Sequence, residues 1–228
     1  MYLPPIVCKS LENDLLIKNG SEYYTGGNQS WFFCLGYKDI AEYGCGIIAI
    51  CNFLLCFWRA EYKSKNIISK ETFTAFVMYI YNKYLYILNN PFIKGLTGFK
   101  LSKGINKYFR DNNISMKALW GKRYNILSKV QKSLKDGLPV ILGVGPDAFA
   151  FLKKKRGIQA LDIDNGSIAD IYAHYVLIYD CKEENKEIFF YISSWGRRYK
   201  LSYNDFNNYQ KNTLFGFILS NILEIQKV

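Results

Sequence analysis

The sequence predicts an α+β protein in which an N-terminal helical lobe packs on a C-terminal antiparallel β-sheet lobe. Two observations point there. Helical patterns crowd the first 137 residues and strand-like runs crowd the remainder, and the two kinds do not alternate as they would around a wound parallel sheet. With 228 residues the chain has the length for one domain with a sizeable core. Within it, residues 1–44 read as an extended segment and loop, 45–137 as the helical lobe and 138–228 as the sheet lobe.

In the first stretch, Asn19-Gly20 and Gly26-Gly27-Asn28 are turn signals. Cys45 to Trp58 is apolar on every side, which predicts a central buried helix rather than an amphipathic one. Ser69 is an N-cap candidate with Glu71 in the first turn, and Thr72 to Leu88 reads as an aromatic-rich helix stopped by Asn89-Asn90-Pro91. Ser102–Arg110 and Asn125–Lys135 read as shorter helices, the second closed by Gly137. Leu138 to Val144 is then a buried strand, and Gly145 to about Asp170 a long polar loop. Tyr175–Tyr179 and Ile188–Ile192 flank Lys182-Glu183-Glu184-Asn185-Lys186 and predict a hairpin, with Tyr199–Tyr203 and Phe215–Ser220 as further strands.

Composition narrows the function. Half the residues are hydrophobic and 17% aromatic, which excludes a disordered or low-complexity chain. The longest apolar run, Gly46–Trp58, contains Asn52 and falls short of the roughly 20 residues a membrane span needs. Met1 to Pro5 lacks the basic and apolar regions of a secretory signal, so a cytoplasmic protein is expected. Six cysteines without a Cys-x-x-Cys pair, beside a single His, disfavour a zinc site and suit free thiols in a reducing compartment. No metal or organic cofactor is implied. The net charge of +11 comes mostly from lysine, and its one dense run, Lys153-Lys154-Lys155-Arg156, reads as a solvated loop. No RNA-binding signature or zinc finger accompanies it, so nucleic acid is not an indicated partner, and nothing singles out a membrane surface. Gly143-Val144-Gly145-Pro146-Asp147-Ala148 loosely fits a dinucleotide pattern but lacks the strand–helix context and reads as a turn. Tyr79, Tyr81, Tyr84 and Tyr86 read as packing residues.

The chemistry concentrates in Tyr43-Gly44-Cys45-Gly46-Ile47. A cysteine between glycines at a helix start lies where the helix dipole favours thiolate, and the glycines permit close approach of a substrate. The same pattern also suits a core cysteine beside turn glycines. A thiol nucleophile needs a base that titrates near neutrality, and the chain has one imidazole, His174, at the start of a strand. Either His174 is that base or no Cys–His pair exists. Asp180 shares its strand face but lies about 20 Å along it. A hairpin turn near Glu184-Asn185 instead brings position 174 level with 194 or 195, beside Ser193-Ser194-Trp195-Gly196. A serine hydroxyl can accept the imidazole N–H.

Taken in order, Gly-Cys45-Gly, the strand Gly137-Leu138-Pro139-Val140-Ile141, the strand opening at His174 and Ser193-Ser194-Trp195-Gly196 resemble papain-fold cysteine peptidases. The pattern is most similar to the bacterial branch related to bacteriocin double-glycine-leader peptidases. Gly26-Gly27-Asn28-Gln29-Ser30-Trp31-Phe32 resembles an upstream motif of that branch's clostridial relatives. The resemblance spans roughly residues 26–220. It implies Cys45 as nucleophile, His174 as base and Ser193 as the residue orienting it, in the place of an asparagine. Because Asp39 stands where the family has its oxyanion-binding glutamine, Gln29 or Asn28, folded back from the upstream loop, would instead hold the oxyanion with the Cys45 N–H, and Gly44 and Trp195 would border a peptide or amide substrate. Three positions depart from the family: Asp39 where glutamine is usual, Ile47 where proline is favoured, and Ser193 itself. Three functions therefore stand open: a thiol hydrolase or transferase, a non-catalytic relative that binds a peptide or partner in the same cleft, and a basic surface that binds an anionic partner.

Overall fold

The computed structural model describes residues 10–64, 66–87, 95–121, 125–146, 157–213 and 216–228. The basic run Lys153–Arg156, the helix stop at 89–91, Cys8 and the first five residues lie outside them. The molecule is mixed α+β, dominated by an antiparallel sheet.

The N-terminal stretch is more ordered than its sequence suggests. β1 (Leu16–Asn19) and β2 (Glu22–Thr25) form a hairpin around Gly20-Ser21, with Gly20 at a φ of +60°. β1 also pairs in parallel with the short β3 (Ile68–Ser69). A 3₁₀ turn (Gln29–Phe32) and α1 (Lys38–Tyr43) lead directly into α2 (Cys45–Glu61). Every residue of α2 from Gly46 to Phe57 is buried, as an all-apolar helix requires. Arg59 is buried at its far end because the guanidinium donates to the carbonyls of Asn13, Leu16 and Asn66. This ties the N-terminal hairpin to the helix.

α3 (Lys70–Lys83) is capped as expected, Ser69 Oγ accepting from Thr72 N, but it ends five residues before Leu88. α4 (Gly98–Asp111) and α5 (Ile126–Lys135) are amphipathic, and Gly137 closes α5 at a φ of +76°. Further regions differ from expectation, α6 (Tyr203–Asn212) among them. β4 (Met116–Trp120) sits between two helices yet joins the sheet. The polar stretch after β5 (Val140–Val144) contains the hairpin of β6 (Ile158–Asp162) and β7 (Ile168–Ile171). Residues 216–219 form a helical turn, α7, instead of a strand, and the last strand comes later.

The remaining elements are β8 (His174–Glu184), β9 (Glu187–Ser194), β10 (Arg197–Ser202), α6 (Tyr203–Asn212) and β11 (Asn221–Lys227). The sheet order is β4-β11-β5-β8-β9-β10-β6-β7, with every pairing antiparallel. α2 lies across its centre: an added Cβ on Gly46 would come 3.2 Å from the Tyr175 ring. The start of α2 and the start of β8 are thereby pressed together. Among the described residues, no helix is long and apolar enough to cross a membrane.

Candidate active site

Cys45 opens α2 and His174 opens β8, and both line one small cavity of about 10 Å³. That is room for roughly one water molecule. Gly27, Gln29, Asn52, Ser193, Ser194 and Trp195 line it as well.

Two opposing effects act on the sulfur. Backbone N–H groups of Tyr175, Gly46 and Cys45 itself favour the thiolate, but burial is the larger effect and pushes the thiol above its usual range. Burial likewise lowers His174 to about 4. Thiol and imidazole therefore both rest neutral near pH 7. His174 is held on two sides: its Nε2 hydrogen-bonds Ser194 Oγ at 2.7 Å, and its ring stacks on Trp195 with centroids 4.5 Å apart. With Nε2 engaged, Nδ1 is the nitrogen left for other chemistry.

The serine at the imidazole is thus Ser194, whereas Ser193 was expected there. Ser193 Oγ donates to the Thr25 carbonyl at 2.7 Å. Hairpin geometry explains the exchange. The turn consists of Asn185-Lys186, both left-handed, and a register shift follows between Ile178 and Asp180, so Leu177 pairs with Ser193. Paired residues of an antiparallel ladder share a face, so Ser193 shares the face of Leu177 and Ser194 that of Val176 and His174. Asp180 accepts from Cys181 N and pairs with Lys182, remote from the site.

Gln29 reaches the cavity with its amide nitrogen donating to the Ala41 carbonyl at 2.9 Å, which occupies one of two N–H groups. Asn28 does not line the cavity. It caps the 3₁₀ turn, its Oδ1 accepting from Ser30 N. Gly44 forms the junction of α1 and α2, where a Cβ would sit 2.3 Å from the Ile40 carbonyl oxygen. Asp39 stays in the first turn of α1, away from the cavity lining. Two left-handed non-glycine residues bracket the histidine, Ala173 at +46° and Trp195 at +50°. Such backbone is uncommon outside glycine and concentrates at functional sites.

No protein-family model matches the chain, and no curated protein matches it either.

Asn52 is a site residue that sequence reasoning passed over. It is 2% exposed, and its Oδ1 accepts from Gly27 N at 2.9 Å. The signal was present: it is the one amide in the otherwise apolar run Gly46–Trp58, seven residues after Cys45 and so on the same face. Among the described residues, no group of three or more His, Cys, Asp or Glu is placed to hold a metal, and Cys34, Cys45, Cys51, Cys56 and Cys181 are all thiols.

Proposed function

We propose that the chain is a papain-fold thiol hydrolase or acyl transferase acting on a peptide or other amide. The observation that carries this reading is the meeting of Cys45, from a helix start, with His174, from a strand start 129 positions later, at one cavity. With Nε2–H donated to Ser194, Nδ1 of His174 takes the proton of Cys45 as the sulfur attacks the substrate carbonyl. The Cys45 N–H and the second N–H of Gln29 receive the negative oxygen. The leaving amine then takes the proton from Nδ1, and water or another acceptor releases the acyl group from sulfur. Ser194 keeps the imidazole in the required tautomer, while Trp195 holds its plane. No metal or organic cofactor enters these steps.

Thiol labelling tests this. Cys34 is exposed, so the experiment uses a Cys34→Ser background. Near neutral pH, Cys45 should be alkylated faster than the four other remaining cysteines, and His174→Ala should slow it by about 100-fold or more. Equally slow labelling at every position would remove the reading.

The small, one-water cavity and the neutral pair favour a second reading, a relative that binds a peptide or partner without turning it over. It expects Cys45→Ala to keep full ligand affinity and peptide libraries to yield no product.

A further inference from the structure

A second, larger hollow adjoins the Cys45 cavity and shares His174 and Tyr175 with it. It measures about 270 Å³ and is walled by Leu96, Phe99, Trp120, Val144, Ile218 and Leu219, with glycines between them. The glycines let the walls pack closely on one another. A Cβ on Gly98 or Gly143 would fall 1.9 or 2.7 Å from the Trp120 ring, and one on Gly145 would fall 2.4 Å from Leu219 Cβ. Three large apolar side chains stand exposed at its rim: Phe99, Ile218 and Leu219 at 63, 39 and 37%. Exposed apolar side chains grouped at the mouth of a hollow are a feature of ligand grooves and interaction sites.

Several polar groups around this hollow are already engaged with the protein. Trp120 Nε1 donates to the Ile218 carbonyl, Gly145 N donates to Ser220 Oγ, and the Gly145 carbonyl accepts from Tyr209 Oη. Thr97 Oγ accepts from Lys100 N, and the Thr97 carbonyl from Leu101 N. A peptide lying here would bring its own N–H and C=O groups to a wall with these partners already taken, at a cost for each group left unmatched. An unbranched hydrocarbon brings none. An apolar cavity of roughly 150 Å³ holds benzene, so this one accommodates about ten carbon atoms.

Building on the Cys45–His174 reading, we propose that the hollow seats the aliphatic tail of a medium-chain acyl group whose carbonyl is presented to Cys45. Sulfur bonds to the carbonyl carbon, the bond to the leaving amine or thiol breaks, and the leaving group takes the proton that His174 removed from Cys45. Water then adds hydroxide to the acyl carbon and returns a proton to sulfur, releasing a medium-chain acid.

Two arms test this on the full chain. The first follows hydrolysis of acetyl, butanoyl, octanoyl and hexadecanoyl thioesters of N-acetylcysteamine, with mass detection of acyl-Cys45. The rate should rise at least tenfold from acetyl to octanoyl and fall again at hexadecanoyl. Ile218→Asp should flatten that profile while leaving iodoacetamide labelling of Cys45 unchanged. The second arm needs no turnover: Cys45→Ala should bind octanamide at least tenfold more tightly than butanamide by calorimetry. A flat chain-length profile with normal, His174-dependent Cys45 labelling overturns the tail site and leaves the thiol chemistry standing. Leucyl or phenylalanyl peptides cleaved faster than the octanoyl thioester also overturn it. If Cys45 labels no faster than the other thiols, the catalytic reading falls, and the calorimetric preference alone then upholds or overturns the hollow as an aliphatic site.

Discussion

Ser193 and Ser194 are adjacent, chemically identical and assigned to different tasks by strand parity. Ser194 meets the imidazole, whereas Ser193 secures the carbonyl of Thr25. Ser194→Ala should therefore slow Cys45-dependent hydrolysis about tenfold, the value of roughly one hydrogen bond. Ser193→Ala should leave that rate within about twofold and lower unfolding free energy by ~1 kcal/mol in urea titrations. The imidazole also leaves a signature in stability. His174 lies near 4 when folded, against an unfolded value of about 6.5, because burial disfavours its charge. Between those values the unfolded chain binds the extra proton, so its contribution is whole above about 6.5 and is lost as pH falls toward 4. The loss amounts to at most about 3 kcal/mol. Urea midpoints measured from pH 7 to 4 should fall more steeply for the natural chain than for His174→Gln; parallel curves would mean that the ring is hydrated.

Between elements, the segment Thr25–Gly27 acts as a strap. Thr25 N donates to the Gly196 carbonyl, Gly196 N donates to the Gly27 carbonyl, and Gly27 N donates to Asn52. One short stretch thus ties α2 to the β9–β10 turn that carries Trp195, and positions Gln29 two residues on. Asn52→Leu leaves a buried N–H without its acceptor, so it should cost about 1–3 kcal/mol of stability. It should also raise the Cys45 alkylation rate by loosening the strap; lower stability with unchanged alkylation would assign Asn52 to the core alone. Elements also show what was legible. α2 was evident because a run of apolar residues admits one location, and α5 and the β8–β9 hairpin because their caps and turn residues are local. β7 was hidden because an edge strand leaves Ile168 and Asp170 exposed and so reads as loop. β4 was hidden because its partner, β11, lies a hundred positions further on. At the site, Cys45 and His174 were legible through chemistry; the choice between two serines was not, because a single register shift inverts it.

For the whole molecule, charge is uneven. Residues 98–121 and 125–136 hold eight Lys or Arg and two Asp, a large part of the +11 excess, and they contain α4, β4 and α5, toward the β4 end of the sheet. Repulsion within that end should be screened by salt, so the thermal midpoint should rise between 20 and 300 mM sodium chloride. A midpoint that falls would mean that ion pairs such as Lys129–Glu224 dominate. The sheet order has a consequence for how the molecule forms. Among the described residues β11 is the last strand in chain order, yet it lies between β4 and β5, and it is the only strand with which β4 pairs. During synthesis a ribosome must therefore emit residues 221–227 before β4 can be zipped in place. Until then, β5 and β4 wait with open ladders, and closure is a late event set by loop entropy rather than by any local preference.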